Sequence, residues 1–153
     1  MITGLLQDKA KILRLEDGKY PSLLKQIHTP PQELFYKGNL SILEKPCLSV
    51  VGTRKNSDYG EYLVQKIIGE LAVFDICVVS GLARGIDTLA HQAALDKGLS
   101  TCAVLGSGID NIYPRENCEL AEEILENEGL IISEFPDITE PTKINFPMRN
   151  RII

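Results

Sequence analysis

Residues 77–106 read CVVSGLARGIDTLAHQAALDKGLSTCAVLG. An apolar run, Cys77–Val79, stops at Ser80, and the chain passes Gly81 and Gly85 before a helical pattern starts at Ile86. Ala90, Ala93 and Ala94 recur at three- and four-residue spacing, which predicts a helix able to approach a sheet closely. Gly98 ends that pattern, and a second apolar run follows at residues 100–106. Strand, glycine loop, helix, strand is the unit of a parallel sheet with helical crossovers.

The same grammar extends outward. Upstream, CLSVVGT (47–53) reads as a strand and YGEYLVQKIIGELAVF (59–74) as an amphipathic helix. In that helix Tyr59, Tyr62, Leu63, Ile67, Leu71 and Phe74 set the apolar period. Downstream, ENCELAEEILENEG (116–129) reads as a helix with Leu120, Ile124 and Leu125 inward and Gly129 as its stop, and LIISEF (130–135) as a strand. The runs lack polar alternation, as strands covered on both faces do. The expected fold is α/β: a Rossmann-like three-layer domain with a mainly parallel sheet, over residues 45–153. Residues 1–44 read as an N-terminal attachment, with a short helix opened by Pro21 and a short strand ending at Gly38.

Composition narrows the function classes. The 153 residues carry a net charge of −5, with 44 % apolar and 24 % charged residues. Such a chain does not bind nucleic acid over its whole surface, so any anion site is a local patch. No apolar stretch approaches the length of a membrane span. The first nineteen residues are broken by charges and lack the apolar core of a secretory signal, so a cytoplasmic location is expected. The four cysteines form no C-x-x-C pair, and Cys77 and Cys102 read as small core hydrophobes rather than metal ligands.

Ligands of parallel α/β sheets bind beyond the carboxyl ends of the strands. Three loops fall there. VGTRKNSDYG (51–60) places Gly52 and Arg54 just past a strand, with Ser57 or Asp58 available to cap the next helix. SGLARGID (80–87) puts Gly81, Arg84 and Gly85 ahead of a helix N-terminus, whose free N–H groups favour an anion. LGSGIDNIYP (105–114) carries Gly106 and Gly108. None is a dinucleotide or triphosphate glycine fingerprint. Each glycine loop also reads as a plain tight turn.

A final segment, EPTKINFPMRNRII (140–153), gathers Lys143, Phe146, Arg149 and Arg151 in an otherwise acidic chain. Cations there provide the electrostatic attraction for phosphates, and an aromatic provides a stacking platform. A solvated loop with Phe146 in the core accounts for the same residues. Asp87 and His91, four apart on one helix, fit either an acid–base pair or a helix-dipole acid with a structural histidine.

The strings YPSLLKQI, PPQELFYKGNL, VVGTRKNSDYG, VVSGLARGIDTLAHQAAL, AVLGSGIDNIYPRENCEL, LIISEFP and FPMRNRII, in this order from Tyr20 to Ile153, resemble the DNA-processing protein A (DprA/Smf) family. The resemblance implies non-catalytic binding of single-stranded DNA during natural transformation, and loading of a RecA-type recombinase. It implies phosphate contacts for Arg54 and Lys143, a base contact for Phe146, a pocket shaped by Ser80 and Gly81 with an auxiliary Arg84, and DNA contact at Gly106 and Arg149 as well. No cofactor or metal is implied. Family members continue past RNRII into parts associated with the sheet's completion, dimer formation and recombinase contact. The chain is therefore expected to be a partial domain, incomplete on its C-terminal side, with a sheet edge open and a homodimer expected only of the longer protein. Two alternatives stay open. The glycine loops are similar to those of phosphoribohydrolases of the lysine-decarboxylase-like group, although the Pro-Gly-Gly-x-Gly-Thr string is absent. A small-nucleotide sensor needs the same loops without Phe146.

Overall fold

The structure, a computed structural model, describes residues 4–153. Six strands form one mixed sheet in the order β1-β2-β6-β5-β4-β3. Strands β3 (Cys47–Ser49), β4 (Cys77–Ser80), β5 (Ser100–Leu105) and β6 (Leu130–Ser133) run parallel. Helices α2 (Asp58–Leu71), α3 (Ile86–Asp96) and α4 (Cys118–Glu126) connect them. The Rossmann-like α/β expectation therefore holds.

Each crossover moves one strand in the same direction, and the three helices share one face. Val78 packs with Val64, Ile68, Ala90, Ala93 and Ala94, while on the same face Ala103, Leu105 and Ile131 pack with Leu120, Ala121 and Ile124. The other face is covered more thinly. Cys77, Val79, Cys102, Val104, Leu130 and Ile132 meet Ile42 of a 3-10 turn and the C-terminal Ile152 and Ile153. Strands β4 and β6 are buried at every position, which explains why neither alternates. Ala90, Ala93 and Ala94 are wholly buried, as the close-packing reading requires.

The N-terminal segment adds two strands to this sheet, and its residues 1–3 lie outside the described residues. Helix α1 (Ser22–Lys25) follows Pro21. The expected strand, β2 (Glu33–Gly38), pairs antiparallel with β6, and β1 (Lys11–Arg14), which no period announces, pairs antiparallel with β2. The outer strands of the sheet are thus β1 and β3.

One helix face is corrected. Helix α2 buries Val64 and Ile68, whereas Tyr59, Tyr62, Ile67 and Phe74 are exposed. The apolar period of α2 has two settings about 100° apart, one residue's turn of a helix. The β-branched setting wins because it meets the alanine face of α3 at short range. Ser57, one of two candidate caps, accepts a hydrogen bond from the Gly60 N–H at 3.2 Å.

Candidate nucleic-acid interface

The carboxyl ends of β3, β4 and β5 bring three loops together, and α5 (Asn145–Asn150) lies across them. Backbone geometry sets the spacing. A Cβ on Gly85, whose φ is +75°, would lie 2.2 Å from the Thr53 carbonyl oxygen. The Ile86 N–H donates to that same carbonyl at 3.1 Å. Glycine at 85 therefore lets the Arg54 loop rest on the start of α3. A Cβ on Gly106 would meet the Phe146 ring at 2.6 Å, so glycine there opens the seat for that ring. Asn117 donates to the Leu82 carbonyl at 2.8 Å and to Thr88 Oγ1 at 2.9 Å, fastening the third loop to the second.

Phe146 is half-buried at the junction. The Arg54 guanidinium carbon stands 5.4 Å from its ring centroid and that of Arg149 6.0 Å. The Tyr113 ring lies 5.8 Å away, tilted by 45°. Arg54, Gly81, Ala83, Arg84, Tyr113 and Phe146 line a cleft of about 40 Å³, together with Pro114, which follows a cis peptide bond. A larger cleft of about 620 Å³ lies elsewhere, beside residues 6–10. Its walls carry three carboxylates, Asp8, Asp110 and Asp137, against one cation, Lys9, so on balance they have the wrong sign for a phosphate chain.

The five cations named from the sequence divide by their partners. Arg54 and Lys143 are exposed, and neither makes an ion pair with another described residue. Arg84 forms a two-pronged bond with Glu116, at 2.8 and 2.7 Å. That contact raises the pKa of Arg84 and lowers that of Glu116. Arg151 bonds Glu134 at 2.5 Å. Arg149 is 4 % exposed and sits beneath the rim rather than in solvent. It donates to the carbonyls of Gly81, at 2.7 Å, and Val104. Burial pushes its pKa down and the charge of Arg54 adds to this, while Asp87 opposes both. Ser80 is also fully buried, its hydroxyl donating to the Val50 carbonyl at 2.6 Å, so its contribution is to the shape of the β3–β4 end.

Asp87 and His91 do not act on each other. Asp87 accepts from the Gly81 N–H at 3.1 Å, and the N–H groups of Gly52 and Ala83 also point at it. Burial raises its pKa against the pull of Arg149 and those three amides. His91 is buried on Thr101, Nδ1 to Oγ1 2.7 Å. Thr101 gives its own proton to the Val78 carbonyl, so His91 donates through Nδ1–H and stays neutral. Asp87 thus ties together the loops after β3 and β4, a role its spacing to His91 did not reveal. Tyr113 was also missed as a member of the site. Its only sequence signal is an aromatic before proline in a glycine loop.

Among the described residues no group of three or more His, Cys, Asp or Glu side chains is placed to hold a metal ion, and no helix is long and apolar enough to cross a membrane.

Comparison with known proteins follows the same lines. Residues 11–153 match the sequence model of the family described as DNA recombination-mediator protein A. The DNA processing protein DprA of Streptococcus pneumoniae is 46 % identical over 137 residues, which is 90 % of this chain and 48 % of that protein. Protein Smf of Synechocystis is 44 % identical over 151 residues, 96 % of this chain and 38 % of that one. The X-ray structure of the S. pneumoniae protein superposes with a TM-score of 0.89 at 43 % identity, over 95 % of this chain and 50 % of that one. A Helicobacter pylori DNA processing protein A, whose structure concerns its single-stranded DNA binding mode, superposes with a TM-score of 0.81 at 31 % identity, over 94 % of this chain and 64 % of that one. The chain spans less than half the length of the curated relatives it matches. With the ordered loops, the sheet and the match over residues 11–153 in agreement, the chain belongs to the DNA processing protein A (DprA/Smf) family.

Proposed function

We propose that the rim formed by the loops after β3, β4 and β5 and by α5 binds single-stranded DNA without acting on it chemically. Arg54 and Lys143 take phosphates and Phe146 takes a base. Ser80, Gly81, Gly106 and Arg149 shape the rim from beneath, and Arg84 is held at its edge by Glu116. The observation that carries this reading is the Arg54 guanidinium set 5.4 Å from the Phe146 ring at the mouth of a cleft. A cation beside an aromatic face matches the alternation of phosphate and base along a single strand. The family's members act in DNA processing by name, and on this reading the longer protein works in the cytoplasm, dimerises and passes its strand to a RecA-type recombinase.

Titration of labelled oligo-dT with the full chain tests this. If about four phosphates are neutralised, affinity falls roughly fifty-fold between 50 and 200 mM salt. Phe146→Ala weakens binding by about 1–3 kcal/mol. Affinity that ignores both salt and Phe146 overturns the reading.

A further inference from the structure

At the end of the sheet away from the rim, the amino end of β3 presents Cys47. Strands β3 and β4 run parallel with Cys47 opposite Cys77, and Cys77 is opposite Ser100 of β5. Residues in register on neighbouring strands project to the same face from backbones about 4.7–4.9 Å apart. That separation lies inside the Cα spacing of about 4.4–6.8 Å which a disulfide spans. The Cys47 thiol donates to the Lys45 carbonyl at 3.4 Å and the Cys77 thiol to the Val78 carbonyl at 3.9 Å. They differ in access, since Cys47 is exposed and Cys77 is fully buried.

A lysine–aspartate ion pair lies beside them. Lys45 extends across the same row, its ammonium 2.9 Å from the Ser100 hydroxyl and 2.6 Å from Asp75, and its charge acts on Cys77. The neighbouring Cys77 side chain lowers the pKa of Cys47 to about 7, against burial, while the neighbouring Cys47 and burial raise that of Cys77. Partly exposed thiols of lowered pKa are the reactive ones, whereas buried thiols in apolar surroundings are inert. Here one of each kind stands in register on neighbouring strands.

We propose that Cys47 and Cys77 form an oxidisable thiol pair that a hydroperoxide converts into a disulfide joining β3 to β4. The Cys47 thiolate attacks a peroxide oxygen; the S–O bond forms, the O–O bond breaks, and the departing oxygen leaves protonated, as water when the oxidant is hydrogen peroxide. The Cys77 sulfur then attacks the Cys47 sulfenic acid; the S–S bond forms, the S–O bond breaks, and hydroxide leaves with the Cys77 proton as water. Two thiols are oxidised and one peroxide is reduced. This inference is independent of the DNA-binding reading.

The test is disulfide mapping of the full reduced chain after stoichiometric hydrogen peroxide, followed by alkylation under denaturing conditions. The expected product is a monomer that has lost two hydrogens and keeps two alkylatable thiols of the original four. Non-reducing digestion links the fragment with Cys47 to the fragment with Cys77, and dithiothreitol reverses the link. Cys77→Ser stops at a dimedone-trapped sulfenic acid on Cys47. A bond to Cys102 or Cys118, dimers alone, or four thiols still alkylatable at the end of the reaction overturns the proposal. The mapping uses the unsubstituted chain, so it stands even if a variant fails to fold.

Discussion

The Arg149 guanidinium reaches 68 residues back along the chain to the carbonyl of Gly81, at 2.7 Å, and on the same nitrogen serves Val104 of β5. It fixes α5 to two strand ends at once, and the Phe146 ring lies 6.0 Å from it. Arg149→Met leaves two buried carbonyls unpaired, and stability falls by about 1–3 kcal/mol as read by urea unfolding. Because the same side chain seats Phe146, its effect on oligo-dT affinity is not additive with that of Phe146→Ala. A double-mutant cycle giving a coupling of at least about 0.5 kcal/mol is the expected result. Additive effects would leave Arg149 as a prop for the fold alone.

Gly106→Ala separates the site from the fold in another way. The added methyl meets the Phe146 ring at 2.6 Å, and the ring belongs to a half-buried side chain in a short helix. The ring gives way and the sheet does not. Oligo-dT binding drops towards the level of Phe146→Ala while the thermal midpoint stays within a few degrees, measured side by side on the two variants.

Glu116 holds Arg84 in an exposed pair, and on the proposed reading its carboxylate repels a strand passing the cleft. Glu116→Gln removes the repulsion and frees the guanidinium for one more phosphate. Affinity for oligo-dT rises at low salt, and the slope of log affinity against log salt steepens by about 0.7. An unchanged slope would place Arg84 outside the path of the strand.

Acid sensitivity of the fold traces in part to His91. Burial holds its pKa at about 3, with the charge of Arg149 adding to the effect, against an ordinary value of 6.5. Below pH 6.5 the unfolded chain takes up a proton that the folded chain refuses until about pH 3. The contribution is therefore complete above pH 6.5 and is lost as the pH falls, by about 1.4 kcal/mol per unit inside that window. Asp87 works in the opposite sense, because its raised pKa lets the folded state bind a proton first. Unfolding free energies of the chain and of His91→Leu between pH 7 and 4 isolate the histidine: the difference between the two shrinks as acid is added.

The parallel strands and their helices were legible because each announces itself locally, by an unbroken apolar run or a period ended by glycine. The crowded loop positions were legible for the same reason, since Gly85 marks where two backbones meet and Gly52, Gly81 and Gly106 mark where a side chain packs onto the backbone. What escaped notice depends on partners distant in the chain. β1 is four residues long and is a strand only because β2 lies beside it. The face of α2 was misread because its exposed tyrosines keep the same period as its buried Val64 and Ile68. Arg149 carries no mark of burial in its own neighbourhood; carbonyls 45 and 68 residues away desolvate and satisfy it.

The rim borrows from stretches beginning near residues 51, 81, 106 and 145, each separated from the next by a complete helix or strand. No peptide limited to one of these stretches contains more than a fraction of it. Affinity for a strand should therefore vanish in one step with the tertiary structure, and a single protease cut within any crossover helix that lets the halves separate will silence it, however intact the fragments are.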